Sequence, residues 1–94
     1  MVTYKAKFKF VDGGVHAEVL DFPGVITCGE TLDEARLLLR SALVDMAETN
    51  LGLGDPLPIP DPSRSDPDAD LEEPIHLLIT ATSHVFVTPQ EVLT

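Results

Sequence analysis

Four carboxylates, Asp12, Asp21, Glu30 and Asp33, could in principle do chemistry in this chain, because a two-metal nuclease gathers acids near the turns of a sheet. Each has a simpler assignment. Asp12 precedes Gly13 and Asp21 precedes Phe22-Pro23-Gly24, where turn formers belong, while Glu30 and Asp33 flank a helix start. His16, His76 and His84 are far apart in sequence, and His16 and His76 read as ordinary strand residues beside polar neighbours. No Walker loop, His-Glu-x-x-His, Gly-x-Ser-x-Gly elbow or paired cysteine accompanies them. Cys28 has Gly29 and Glu30 beside it, and nearby negative charge opposes thiolate formation, so it reads as a buried small hydrophobe. These residues predict no catalytic group, metal site or cofactor, and the chain is read as a binding protein and not an enzyme.

The elements that carry these residues follow from periodicity. Between Thr3 and Phe10 the chain alternates, with Tyr4, Ala6, Phe8 and Phe10 on one face and Lys5, Lys7 and Lys9 on the other, the pattern of a half-buried strand. Asp12-Gly13 suits the two positive-φ positions of a tight turn, and Val15, Ala17 and Val19 then alternate with His16, Glu18 and Leu20. A hairpin closed at that turn sets Phe10 against Val15, Phe8 against Ala17 and Lys7 against Glu18, so apolar meets apolar and base meets acid. Asp21-Phe22-Pro23-Gly24 ends the second strand, and a short third strand runs from Val25 to Cys28.

Thr31-Leu32-Asp33-Glu34 has the capping-box pattern, with Asp33 and Glu34 at the positive end of the helix it opens. That helix is predicted to reach about Asn50, where Asn50, Gly52 and Gly54 supply stop signals. Leu32, Ala35, Leu38, Leu39, Ala42, Leu43 and Met46 form one stripe that should cover the sheet. Leu37 and Val44 fall on the opposite side, as candidates for contact with a partner or a second subunit.

From residue 52 to 74 the composition changes. Pro56, Pro58, Pro60 and Pro62 recur at every second position and favour an extended path, and six acids against Arg64 follow. A loop of about twenty residues is uncommon in a compact domain. Its first part, with Pro56, Pro58 and Pro60, is predicted to lie ordered on a surface or partner, and residues 63–70 to be partly disordered. Ile75, Leu77, Ile79 and Ala81 then alternate as a fourth strand, Val85-Phe86-Val87 extends it, and Thr88-Pro89-Gln90-Glu91 resembles a helix start.

Ninety-four residues make one modest domain, 1–94. Sixteen acids against six bases give a net charge of −10, which disfavours direct nucleic-acid binding and favours a basic protein partner. No apolar stretch approaches the length of a bilayer span, no signal peptide is visible, and a lone cysteine agrees with a reducing cytoplasm.

Taken together, Asp21-Phe22-Pro23-Gly24, the strand after it, and Gly29-Glu30-Thr31-Leu32-Asp33-Glu34-Ala35 resemble the hallmark segment of the HicB-like antitoxin family. The resemblance extends upstream to Gly13-Gly14 and downstream to Gly54-Asp55-Pro56, covering most of residues 3–62. The matching motif residues are Asp21, Pro23, Gly24, Gly29, Thr31, Glu34 and Ala35. The resemblance implies an α+β, partial RNase H-like β-β-β-α-β fold without a nuclease role. It also implies a partner, a small basic HicA-type endoribonuclease toxin whose active site is covered. Family members often carry a C-terminal DNA-binding domain; this chain resembles a short form without one. The alternative reading is a solitary homo-oligomer without a toxin.

Overall fold

The structure is a computed structural model that describes residues 1–79. The expectations placed on Ala81, His84, Val85-Phe86-Val87 and Thr88-Pro89-Gln90-Glu91 lie outside the described residues. The elements are β1 (Val2–Val11), β2 (Gly14–Leu20), β3 (Ile26–Gly29), α1 (Leu32–Gly52) and β4 (Leu71–Leu77). They give the β-β-β-α-β order with one four-stranded antiparallel sheet in the order β3-β2-β1-β4.

The β1–β2 register is the one that the Asp12-Gly13 turn predicts, with Phe10 opposite Val15, Phe8 opposite Ala17 and Lys7 opposite Glu18. The turn itself differs from the expected one: Gly13 takes a positive φ, 83°, but Asp12 does not, so one left-handed residue and not two closes the hairpin in the same register. Tyr4, Ala6, Phe8, Val15, Ala17 and Val19 are buried beneath α1. Phe10 shares their side but is half exposed, because the β4 ladder begins opposite Phe8 and leaves Phe10 at a corner of the sheet.

The helix starts as the capping box predicts. Thr31 Oγ1 accepts the Glu34 N–H at 3.1 Å, and the Glu34 carboxylate reaches back to the N–H of Glu30 at 2.7 Å, one residue ahead of the cap. Ala35, Leu39, Leu43 and Ala47 are buried, and Leu32, Ala42 and Met46 pack against the core. Leu38 departs from the predicted stripe. It lies at the margin and is 40% exposed, while Ala47, not assigned to the stripe, is buried.

Two expectations for the loop are corrected. The first concerns its end: β4 begins at Leu71, so residues 71–74, read as loop, belong to the strand, with Pro74 opposite Lys5. An edge strand tolerates this, because half of its backbone groups face away from the ladder and a missing N–H is harmless there. The second concerns residues 63–70, predicted to be partly disordered. The structure lays them across the lysine face of β1. Lys5 Nζ donates to the carbonyls of Arg64 at 2.6 Å and Pro62 at 3.2 Å, Lys7 pairs with Asp66, and Asp70 accepts the Phe10 N–H at 2.7 Å. Lys7 also meets Glu18 at 3.0 Å, as the hairpin register predicts. The loop is therefore a strap, with α1 on one face of the sheet and acidic chain on the other.

The strap makes a prediction about acid. The Lys7 ammonium, and then the Asp68 N–H, hold the Asp66 carboxyl below its ordinary value, and Asp61 is lowered by hydrogen bonds from Ser63. Their contribution to stability is complete above about pH 4 and is lost as pH falls through the lowered values. Urea unfolding followed across about pH 2 to 5 should show a stability loss that Asp66→Asn flattens. An Asp66→Asn variant with an unchanged acid limb would show that the strap contact carries none of it.

Candidate partner-binding surfaces

The carboxylates considered for metal chemistry do not converge. Asp21 is occupied by Arg64 and by the N–H of Asp61 at 2.8 Å, and Asp33 lies 3.2 Å from Arg36. Among the described residues, no group of three or more His, Cys, Asp or Glu side chains could hold a metal ion. His16 is exposed on β2, and His76 Nδ1 sits 2.9 Å from Thr3 Oγ1 on the β4 edge. Cys28 is a correction: it is exposed, not buried. Thr27 and Gly29 pair with Ala17 and Val15 and so take the helix side, which turns Cys28 and Ile26 outward. Among the described residues, no helix is long and apolar enough to cross a membrane.

The motif residues instead build the junction between sheet and helix. Asp21 adopts φ 69°, unusual for a residue with a side chain, and its carboxylate anchors the strap through Asp61 and Arg64. Phe22 is buried with its ring centroid 5.5 Å from that of Tyr4. Gly24 takes φ 93°, and a Cβ there would lie 3.1 Å from the end of Met46, while Pro23 stays exposed. At Gly29 a Cβ would fall 2.7 Å from the backbone nitrogen of Ala35, so the first turn of α1 rests directly on β3. Thr31 and Glu34 close the cap, and Ala35 is fully buried.

Two surfaces among the described residues are candidates for a partner. On α1, Leu37 and Val44 are 61% and 45% exposed, and Leu51, one further heptad along, is 49% exposed. Beside them, on the β4 side, Leu78 and Ile79 are exposed as well and help line a shallow groove of about 180 Å³ with Val44 and Leu51. The second surface is the proline run. Its inner side is fixed: Leu57 packs on the core, and the buried Tyr4 hydroxyl donates to the Pro58 carbonyl at 2.6 Å. Burial and then the charge of Asp21 raise the Tyr4 pKa, which keeps the hydroxyl a donor. Pro56 is exposed, Pro58 and Pro60 are half-buried, and Ile59 between them projects 89% exposed. Sequence reasoning missed Leu51 and Ile59. Ile59 had a signal, since it and Leu57 are the only large apolar residues between Leu53 and Leu71, and one of the two had to face out.

Neither a protein-family model nor a curated protein sequence matches this chain. Among solved structures, it is similar to the crystal structure of the N-terminal domain of the antitoxin HicB from Burkholderia pseudomallei. The TM-score is 0.67 at 24% identity, over 83% of this chain and 100% of that one. The likeness is one of fold: three antiparallel strands, one helix and a final strand completing the sheet, the order that the resemblance of residues 21–35 implies.

The close approach at Gly29 is testable. Gly29→Ala should destabilise by about 1–3 kcal/mol in chemical denaturation, because the added methyl meets backbone that cannot step aside. Gly52→Ala, where a Cβ meets nothing within 4 Å, is the control and should be neutral or mildly stabilising.

Proposed function

We propose that this chain is a HicB-like, antitoxin-type binding protein, a single domain acting in the cytoplasm, that neutralises a small basic HicA-type endoribonuclease by covering its active site. The fold likeness to the HicB N-terminal domain supports this reading most directly. The motif at residues 21–35 and the net charge of −10 agree with it. The role is one of steric cover and requires no catalytic residue, metal or cofactor. Lys5, Lys7 and Lys9 are engaged by Glu72, Asp66 and Asp70, an arrangement that opposes direct nucleic-acid binding by this chain.

The toxin-facing surface in this reading is the proline run, with Pro56, Pro58 and Pro60 holding Ile59 outward between Asp55 and Asp61. Acidic surface speeds the encounter with a basic partner and selects it, and a buried apolar anchor holds the complex. A rigid proline frame lowers the entropy cost of that anchor. Leu37 and Val44 are assigned to contact between copies of this chain, so a homo-oligomer and a toxin-binding protein are compatible. A solitary oligomer without a toxin is the second reading, favoured by the apolar helix face alone.

Co-expression of this chain with a cognate HicA-type toxin should rescue growth, and the purified pair should form a complex. Ile59→Asp should weaken that complex by about 10- to 100-fold, mainly through faster dissociation, whereas Asp68→Asn should chiefly slow association. Failure of rescue together with no complex would leave the solitary oligomer as the better reading.

A further inference from the structure

The outer stripe of α1 reads alike from both ends. About Val44, Leu37 and Leu51 stand seven residues to either side, and Arg40 and Glu48 four residues to either side. All five are exposed. At 100° per residue they share about 80° of helix surface and extend about 21 Å. We propose that this stripe pairs with the same stripe of a second copy, the two helices running antiparallel across a two-fold axis at Val44.

In that arrangement Val44 meets Val44, each Leu37 meets the other copy's Leu51, and each Arg40 meets the other copy's Glu48. A two-fold contact requires this self-complementarity, since whatever one copy presents at one end it must receive at the other. Charge selects a second copy as the occupant. A chain at −10 repels its own copies over most of its surface, so self-association needs a locally neutral patch. Between Leu37 and Leu51 the stripe supplies one base and one acid in opposite halves, attractive only in the antiparallel register; the parallel register would set Arg40 against Arg40 and Glu48 against Glu48. Asp33, in line with the stripe one turn before Leu37, is paired with Arg36 at 3.2 Å. Arg36, the neighbouring base, is held by Glu73 at 2.8 and 3.0 Å and does not compete. Leu78 and Ile79 border the stripe and widen the apolar area that closure would bury.

The inference deepens the homo-oligomer part of the proposed function and does not depend on the toxin. It is tested by sedimentation velocity of the full chain over a concentration series. The wild-type chain should dimerise. Arg40→Glu and Glu48→Arg should each weaken the dimer on the order of tenfold, because two exposed pairs become repulsive at once. An equimolar mixture of the two variants should restore it as a heterodimer, as should the double swap in one chain. Arg40 and Glu48 are about 12 Å apart along one helix, so no contact within a chain can produce that rescue. Val44→Glu should abolish the dimer while leaving toxin binding at the proline run intact, which separates this inference from the toxin reading. A chain monomeric throughout, a dimer unmoved by either reversal, or single variants that mixing fails to rescue would each overturn it.

Discussion

The fold turns on how closely the start of α1 can approach β3. With hydrogen alone at Gly29, the backbone of Ala35 comes down onto the strand, and Ala35 itself is completely buried. That contact fixes the height of the helix over the sheet for the turns that follow, placing Leu39, Leu43 and Ala47 in succession against the core. The cap at Thr31 and Glu34 fixes where the helix begins, so the seat and the register are set within seven residues. Everything presented outward by α1 inherits its position from this seat, because residues on the far side of a helix are placed by those on the near side.

The opposite face of the sheet is organised by charge. A row of three lysines would leave β1 with uncompensated repulsion, and the hairpin partner supplies only Glu18. The strap and the start of β4 complete the compensation, the strap bringing Asp66 to Lys7 and Asp70 to within 3.8 Å of Lys9, and β4 bringing Glu72 to within 3.8 Å of Lys5. Exposed pairs of this kind each contribute little. Their collective effect is positional: together with Tyr4 holding the Pro58 carbonyl and Asp21 holding Asp61 and Arg64, they give the long connection one path.

What was legible in the sequence was local. The hairpin register followed from Asp12-Gly13 and a two-residue period, and the helix start from Thr31 and Glu34, because both depend on residues within a few positions of each other. The exposure of Leu37 and Val44 followed from helical angle alone. The strap was not legible, since its partners are 40 to 60 residues apart in sequence and several are backbone carbonyls that no side chain advertises. Cys28 was misplaced for a related reason. The side that a strand of four residues shows the core depends on the neighbour it pairs with, and its own composition did not reveal that Thr27 and Gly29 would face inward.

The central position of β1 has a consequence for motion. It is hydrogen-bonded along both edges, to β2 and β4, lies beneath the helix on one face and is tied to the strap on the other. Among the described residues the two outer strands each pair along one edge only, and β3 is four residues long. Opening fluctuations should therefore reach the outer strands before β1, while the amides of Tyr4, Ala6 and Phe8 are released only when the whole sheet comes apart. On the slow timescale of amide exchange the molecule would behave as a stiff spine with softer margins, and the apolar helix face and the proline run would keep their places as long as that spine holds.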